Sequence, residues 1–329
     1  MTALAPTMQA FFTDRLVRQR HASPQTVAAY RDTMRLLLAF AQDRTGTLPS
    51  ELDLGQLDAE LICAFLDHLQ HGRGNSARTR NARLAAIRSL YRFAALRHPE
   101  HAALIGRVLA VPSKRFAQRI VTHLSAQEAD TLLAAPDRST RTGRRDHTLL
   151  LLAVQTGLRA SELTGLSCGD IHLGTGAHVT CHGKGRKDRV TPLTKSTAGA
   201  LRVWLTERQG AATDPLFPAS TGRRLSRDAL EHRLAKYAQI AASTCPSLRE
   251  KHVTMHVLRH TCAIRLLHAG IDTSVIALWL GHASPATTQI YLDADLELKQ
   301  RALDRTTPPG SKPGRYRPPD ALLGFLQGL

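Results

Sequence analysis

The chain has 329 residues, of which 43% are hydrophobic and 22% are charged, so it is long enough for two globular domains with buried cores. Lys and Arg outnumber Asp and Glu by 44 to 27, giving a net charge of +17 and an isoelectric point near 10.5. Such an excess favours a polyanionic partner, and nucleic acid is the usual one for a globular chain. Aromatic residues make up only 5%, which argues against a stacking surface for single strands and favours duplex DNA.

The positive charge is distributed over the whole sequence. Residues 1–112 hold 14 basic and 9 acidic residues, which leaves 30 basic and 18 acidic residues for 113–329. This distribution is typical of a protein that closes around its polyanion. A basic protein whose charges are merely solvated is the alternative.

The cysteines and the apolar segments indicate the compartment. Five cysteines are an odd number, and they lack CxxC spacing, so we expect reduced structural thiols. The longest apolar run, residues 149–154, is too short to span a bilayer, and the N-terminus lacks a signal-peptide pattern. These features predict a cytoplasmic protein with no membrane partner.

The first third of the chain is predicted to be helical. Ser23-Pro24 is a helix start, with a serine cap and a proline in the first turn, and apolar residues then recur at steps of three and four. Further helices are predicted over Asp58–Leu69 and Ser76–Leu96. On the last helix, three basic side chains lie within roughly 80° of one another and away from the apolar side. These are Arg78, Arg88 and Arg92. We interpret them as a face that follows DNA phosphates, although a solvated face is the alternative.

The remaining two thirds mix helices with a few short strands. A polar, basic stretch without clear periodicity, residues 111–124, is interpreted as an interdomain linker. Ser125 and Glu128 have capping-box spacing for the next helix, and an apolar helix over Asp146–Gln155 is stopped by Gly157. Three strands are predicted at about 171–173, 178–182 and 189–193, followed by helices from residue 197 onward, including a helical hairpin over 256–303.

These elements predict a mainly α fold with a small antiparallel β-sheet, in the α+β class. We expect a helical domain at residues 1–110, the linker at 111–124, a second domain at 125–305, and a tether with a tail at 306–329. The tether is rich in Pro and Gly, and Asp320 can cap a final segment with an apolar stripe. Ten residues do not hold a helix alone in water, so this tail docks on its own domain, docks on a neighbouring molecule, or frays.

The residues suited to chemistry lie in the second domain. They occur, in chain order, as Thr-Gly-Leu-Arg-Ala-Ser-Glu at 156–162, Gly-Lys-Gly at 183–185, His-Val-Leu-Arg-His at 256–260, Leu-Gly-His at 280–282, and Tyr291. A guanidinium can bind two phosphate oxygens at once, a phenol can attack phosphorus, and a lysine or histidine can protonate the leaving oxygen. The set therefore points to phosphodiester chemistry.

In this order and spacing, with the tyrosine nine residues after the last histidine, the motifs closely resemble the tyrosine recombinases, the group containing phage integrases and Xer recombinases. The resemblance covers residues 125–300, and a weaker one links residues 5–105 to the family's helical, SAM-like core-binding domain. It implies a tyrosine recombinase catalytic domain with the catalytic residues Arg159, Lys184, His256, Arg259, His282 and Tyr291.

The resemblance also implies a role for each residue. Arg159 and Arg259 bind the non-bridging phosphate oxygens, and Lys184 protonates the departing 5′ oxygen, with Lys187 as the alternative. Tyr291 is the nucleophile and forms a 3′-phosphotyrosyl ester. Of the histidines, the one at 256 acts as general acid/base or hydrogen-bond donor, and the one at 282 donates a hydrogen bond to the phosphate.

Further residues are assigned supporting parts. Glu162 holds Arg159, although a plain i,i+3 ion pair is the competing interpretation. His260 is a structural partner of the catalytic site. Phosphate anchors are expected at Arg186, Lys187 and Arg189. The ester conserves the energy of the broken bond, so the resemblance implies neither a metal nor ATP nor any other cofactor.

Other functions remain open at this point. His256 and His260 have the i,i+4 spacing of paired zinc ligands, but Val257 stands where the metalloprotease motif needs Glu, and no third ligand is obvious. A type IB topoisomerase would share the chemistry without exchanging partners, and an architectural DNA-binding protein would carry an inactive site. The preferred prediction is a site-specific recombinase of a mobile element, acting as a homotetramer on two DNA sites. Whether a second recombinase is its partner is left open, and a housekeeping Xer-type resolvase is the alternative.

Overall fold

The structure, a computed structural model, describes residues 3–116, 122–182 and 188–281, with only the backbone described at His182. The chain divides into two compact units, Met1–Arg119 and Ile120–Leu329. This division falls within the stretch interpreted as a linker, while the ends predicted for each domain remain predictions. The described residues are mostly helical with one three-stranded antiparallel sheet, which confirms the predicted fold class.

The first unit is a bundle of helices around its own core. Its helices are α1 (Leu4–Ala10, continuing as a π-helical segment over Phe11–Gln19), α2 (Pro24–Thr45), α3 (Ala59–Asp67), α4 (Ala77–Ala94) and α5 (Ala102–Ala110). Helices α2, α3 and α4 begin one residue after Ser23, Asp58 and Ser76, and each of these side chains accepts a backbone N–H of the first turn. The three predicted helices are therefore confirmed, whereas α1 and α5 lacked a start signal strong enough to be predicted.

The second unit combines seven helices and the sheet among its described residues. These elements are α6 (Ala126–Ala134), α7 (Arg141–Thr156), α8 (Ala160–Gly165), β1 (Ile171–His172), β2 (His178–His182), β3 (Asp188–Pro192), α9 (Lys195–Arg208), α10 (Arg227–Thr244), α11 (Met255–His268) and α12 (Thr273–Leu280). The strands pair in the order β1-β2-β3, with Cys181 opposite Arg189. The predicted strands and the capping box of Ser125 and Glu128 are confirmed.

Helix α7 begins five residues earlier than predicted. Its cap is Thr140, whose side chain accepts the N–H of Gly143, and the first turns after it are polar. Because the apolar residues begin only at Leu149, the pattern did not reveal these turns. Helix α7 packs against α9 and α11, which places the loop that follows α7 beside α11.

Buried polar contacts also bind the second unit together. The carboxylate of Asp146 accepts a hydrogen bond from Nε of Arg145 at 2.8 Å and another from the hydroxyl of Tyr237 at 2.8 Å, and the second bond joins α7 to α10. The five cysteines are free thiols. Among the described residues, no helix has both the length and the apolar character that crossing a membrane requires.

Candidate active site

The guanidinium of Arg259 joins the ends of two helices. Arg259 lies on α11, is only 4% exposed, and donates from Nη1 to the carbonyl of Gly157 at 2.8 Å. Its Nη2 donates to the carbonyl of Leu280, the last residue of α12, at 2.7 Å. Two anchored nitrogens fix the plane of the guanidinium, so its orientation is set before any ligand binds.

Gly157 permits this close approach. It ends α7 in the left-handed conformation, with a φ of 63°. A β-carbon at this position would lie 2.6 Å from Cδ2 of Leu280 and 3.2 Å from Sγ of Cys262. The glycine is therefore needed both for the backbone turn and for the contact between α7, α11 and α12.

Arg159 approaches the same helix end from the start of α8. Its Nη2 donates to the carbonyl of Gly281 at 2.8 Å, and its Nη1 donates to Oε1 of Glu162 at 2.7 Å. The side chain is 42% exposed, in contrast to that of Arg259. The predicted contact between Arg159 and Glu162 is thus present, and it leaves the guanidinium accessible from solvent.

Glu162 is shared by two arginines. Besides Arg159, its carboxylate accepts both terminal nitrogens of Arg189, at 2.9 and 2.8 Å, and the backbone N–H of Arg159 at 2.8 Å. Burial alone raises the pKa of Glu162, but the hydrogen bonds from Arg189 and Arg159 lower it by more, to about 2. Glu162 is therefore a fixed negative charge at neutral pH.

The position of Arg189 differs from the one expected of a phosphate anchor on the surface. It lies on β3 with its side chain 12% exposed, and a β-carbon added to Gly281 would lie 2.8 Å from its Nη1. Along β3, residues 189 and 191 face inward while Val190 is 61% exposed. Sequence reasoning missed this partnership, because nothing in the alternation of β3 marks an inward-facing arginine.

Three guanidiniums and one carboxylate thus meet where α12 ends. The carbonyls of Leu280 and Gly281 lie at the C-terminus of α12, where intrahelical donors run out, and Arg259 and Arg159 donate to them. The remaining charge of this cluster is positive, which suits an anion such as a phosphodiester.

Two histidines flank Arg259 in the sequence of α11. The rings of His256 and His260 lie edge to face with their centroids 4.0 Å apart, and His256 is exposed in the first turn of the helix. The positive end of a helix favours an anion there. Within 3–116, 122–182 and 188–281, no group of three or more His, Cys, Asp or Glu side chains is arranged to hold a metal.

The nearby thiols do not offer a competing nucleophile. Burial raises the pKa of Cys181, opposite Arg189, and of Cys262, beside Gly157, to about 12 each. Both thiols therefore stay protonated at neutral pH.

Five predicted residues lie outside the described part of the chain: Lys184, Arg186, Lys187, His282 and Tyr291. The described residues stop at His182, resume at Asp188, and stop again at Gly281. Strand β2 ends at His182 and β3 begins at Asp188, so sequence places the lysine between two strands of the sheet. Gly281, which accepts from Arg159, immediately precedes the predicted histidine.

The three basic residues predicted on α4 differ in their surroundings. Arg78 and Arg92 are exposed. Arg88 donates instead to the backbone carbonyl of Val111 and to Oγ of Ser113. It therefore holds the stretch that follows α5 against α4.

Comparisons with known proteins agree with this arrangement. The model described as "Phage integrase family" matches residues 122–297, and "Phage integrase, N-terminal SAM-like domain" matches residues 10–98. The protein y4rC of Sinorhizobium fredii, named as a candidate integrase/recombinase, is 54% identical over 99% of this chain and 98% of its own length. Tyrosine recombinase XerC of Pelobacter propionicus is 34% identical, covering 91% of this chain and 94% of its own.

Solved structures share the fold. The XerH site-specific recombinase bound to its palindromic difH substrate has a TM-score of 0.68 and 24% identity, covering 87% of this chain and 81% of that one. The Tn1549 transposon integrase in complex with a circular intermediate DNA has a TM-score of 0.68 and 16% identity, covering 91% and 99%.

The chain belongs to the phage integrase family, the tyrosine recombinases. It is an enzyme of DNA recombination, and enzymes of this kind cleave and rejoin DNA strands.

Proposed function

We propose that this protein is a site-specific recombinase that cleaves and rejoins duplex DNA through a covalent 3′-phosphotyrosyl intermediate. The observation that carries the proposal is the convergence of Arg159 and Arg259 on the last carbonyls of α12, one residue before His282. The two guanidiniums come from separate parts of the sequence, and each is oriented by bonds to protein groups. Such preorganised donors are what stabilise the charge that develops on phosphate oxygens.

In the cleavage step, the phenolic oxygen of Tyr291 forms a bond to phosphorus and the bond to the 5′ oxygen breaks. The phenolic proton passes to His256, and the ammonium of Lys184 donates a proton to the departing oxygen. Arg159 and Arg259 neutralise the extra charge on the non-bridging oxygens. Rejoining reverses these transfers with a 5′ hydroxyl from another duplex, so the scheme balances without ATP.

The DNA contacts follow from the charge distribution. Exposed Arg78 and Arg92 on α4, together with the basic segment that contains Arg186 and Lys187, would bind phosphates of the duplex. The XerH and Tn1549 structures hold DNA, in agreement with a DNA partner here. Exchange between two duplexes needs four cleavages, so we propose a homotetramer on two sites.

The biological setting we propose is integration or transposition of a mobile element. The similarity to y4rC and to the Tn1549 integrase favours this setting, while the similarity to XerC favours housekeeping resolution as the alternative. A topoisomerase of type IB is disfavoured, because the match to the integrase N-terminal domain covers residues 10–98.

A nicked DNA substrate tests the proposal. Loss of the short fragment beyond the cleavage site prevents rejoining, so the wild-type protein should accumulate as a covalent DNA adduct, and Tyr291→Phe should form none. Exchange between two labelled sites should accompany the adduct. An adduct with relaxation of supercoils but without exchange would indicate a topoisomerase, and the absence of any adduct would indicate a binding protein.

A further inference from the structure

The chain that follows α5 stays bound to the first unit for four more residues, 111–114, which we call the docked segment. Asn81 on α4 makes two hydrogen bonds to the backbone of Lys114: its Nδ2 donates to the carbonyl at 2.8 Å, and its Oδ1 accepts the N–H at 3.0 Å. The ammonium of Lys114 also donates to Oε1 of Gln70 at 2.7 Å. A side chain that binds both backbone groups of one residue fixes the direction of the chain as well as its position.

Two arginines of α4 bind the rest of the docked segment. Arg88 donates to the carbonyl of Val111 and to Oγ of Ser113. Arg80, which is only 4% exposed, donates from Nη1 to the carbonyl of Pro112 at 3.4 Å. The docked segment is therefore part of the first unit and not of the tether between the units.

This docking changes the point at which the chain leaves the first unit. Arg88 binds the first residue of the docked segment and Asn81 binds its last, and these two side chains lie seven positions apart on α4. At 1.5 Å per residue, the segment carries the chain about 10 Å along the helix. The direction is towards the turn that carries Arg78, one of the arginines for which we propose a DNA contact.

The second unit binds the chain again at residues 123 and 124. The N–H of Leu124 donates to Oγ1 of Thr261 on α11 at 2.9 Å, in a buried hydrogen bond. The carbonyl of His123 accepts from Nζ of Lys251 at 2.9 Å. The chain is thus fixed to one unit at residue 114 and to the other at residue 123.

The length of chain between these two points limits its reach. Residues 114 and 123 are separated by nine Cα-to-Cα steps, which span at most roughly 30 Å. If the docked segment were released, Val111, whose side chain is buried, would be the last residue held by the first unit. The chain would then have twelve steps to residue 123 and a maximum span of roughly 40 Å.

We propose that Asn81 is a positioning residue for DNA binding: by fixing Lys114 on α4, it limits the reach of the tether so that both units bind the same duplex. The inference rests on the proposed function, in which both units contact phosphates of one site. Once one unit is bound, the effective concentration of the other falls with roughly the −3/2 power of the tether length, or more steeply. An increase from nine to twelve steps therefore lowers it by roughly 1.5-fold or more.

Hydrogen–deuterium exchange of the full chain, resolved to single residues by mass spectrometry, tests the docking. Asn81→Ala removes both bonds to Lys114, so the amide of Lys114 should exchange at least about 10-fold faster. Asn81→Asp keeps the oxygen that accepts this N–H and should retain most of the protection. Amides of α2 and α3 should exchange as in the wild type, which shows that the first unit is folded.

Equilibrium binding to a single duplex site tests the consequence. Asn81→Ala should bind about 2-fold more weakly, with an unchanged slope of log affinity against log salt, because Asn81 contacts protein and no phosphate. A chain with Gly-Ser-Gly inserted after Phe116 gains the same three steps and should bind equally weakly. In that chain the amide of Lys114 should remain protected, which separates tether length from docking.

Thr33→Val is the matched control, because it too removes a hydrogen bond of α4 without changing the charge. The hydroxyl of Thr33 on α2 accepts from Nη1 of Arg83 on α4 at 2.9 Å, away from the docked segment. The variant should leave both the exchange of Lys114 and the affinity for DNA unchanged.

Unchanged exchange of Lys114 in Asn81→Ala would overturn the inference. Wild-type affinity in Asn81→Ala despite faster exchange, or in the chain with the insertion, would overturn it as well. Failure of the proposed chemistry has a different signature: the wild-type protein binds duplex DNA but forms no covalent adduct, and the role of Asn81 then stands. If the wild type does not bind duplex DNA, both conclusions fall.

Discussion

Replacing Glu162 by Gln should destabilise the second unit, because the change removes one buried negative charge. The carboxylate accepts four hydrogen bonds, from Arg189, Arg159 and one backbone N–H, and its side chain is 6% exposed. Its pKa falls from 4.5 to about 2, which corresponds to about 3 kcal/mol of unfolding free energy at neutral pH. Breaking a buried ion pair by removing one partner costs a similar amount.

Urea unfolding followed by tryptophan fluorescence measures this effect. Both tryptophans of the chain, Trp204 and Trp279, lie in the second unit, so the signal reports on that unit. Glu162→Gln should lower its free energy of unfolding at pH 7 by about 3 kcal/mol. Glu207→Gln, which removes the carboxylate that pairs with Arg144 on the surface, is the matched control and should have a much smaller effect.

The pH dependence supplies the second half of the test. Because the pKa of Glu162 is lower in the folded than in the unfolded protein, its stabilisation is complete above about pH 4.5 and is lost as pH falls towards 2. The difference between wild type and Glu162→Gln should be constant from pH 6 to 8 and about 1 kcal/mol smaller at pH 3.5. A difference below about 1 kcal/mol at pH 7, or one that does not change with acidity, would refute the reasoning.

Two further predictions concern the backbone and the DNA-binding face. Gly157→Ala should destabilise the second unit by about 1–2 kcal/mol in the same urea assay. An L-residue is strained at a φ of 63°, and its methyl group would meet Leu280. A loss under 0.5 kcal/mol, roughly within error, would contradict this. Arg78→Ala and Arg92→Ala should each reduce the slope of log affinity against log salt by about one, while Arg88→Ala, whose side chain bonds to the protein backbone, should leave the slope unchanged. Equal slopes in all three variants would argue against this DNA-binding face.

Local signals accounted for much of the fold. Ser23, Asp58 and Ser76 mark helix starts because each side chain bonds to the first turn that follows it. The start of α7 was displaced because its first turns are polar, so apolar periodicity could not show them. Helix caps and apolar periodicity depend only on residues a few positions apart, so the elements that they mark can be predicted from the sequence.

The candidate site, by contrast, depends on contacts between residues that are far apart in the sequence. The pairing of Arg159 with Glu162 was predictable because three residues separate them on one helical turn. The partnership of Glu162 with Arg189 spans 27 residues and two different elements, and an inward-facing arginine on β3 has the same sequence pattern as an outward-facing one. The hydrogen bonds from Arg259 to the ends of two helices could likewise not be predicted from the sequence, because no residue pattern marks the backbone carbonyls that accept them.

Mapping the attachment point of the DNA tests the central claim most directly. The adduct formed on a nicked substrate should be digested with protease and nuclease, and the nucleotide-linked peptide identified by mass spectrometry. The account predicts a single modified residue, Tyr291, joined to a 3′ phosphate, together with a free 5′ hydroxyl on the released strand. Attachment at another residue, or through a 5′ phosphate, would contradict it.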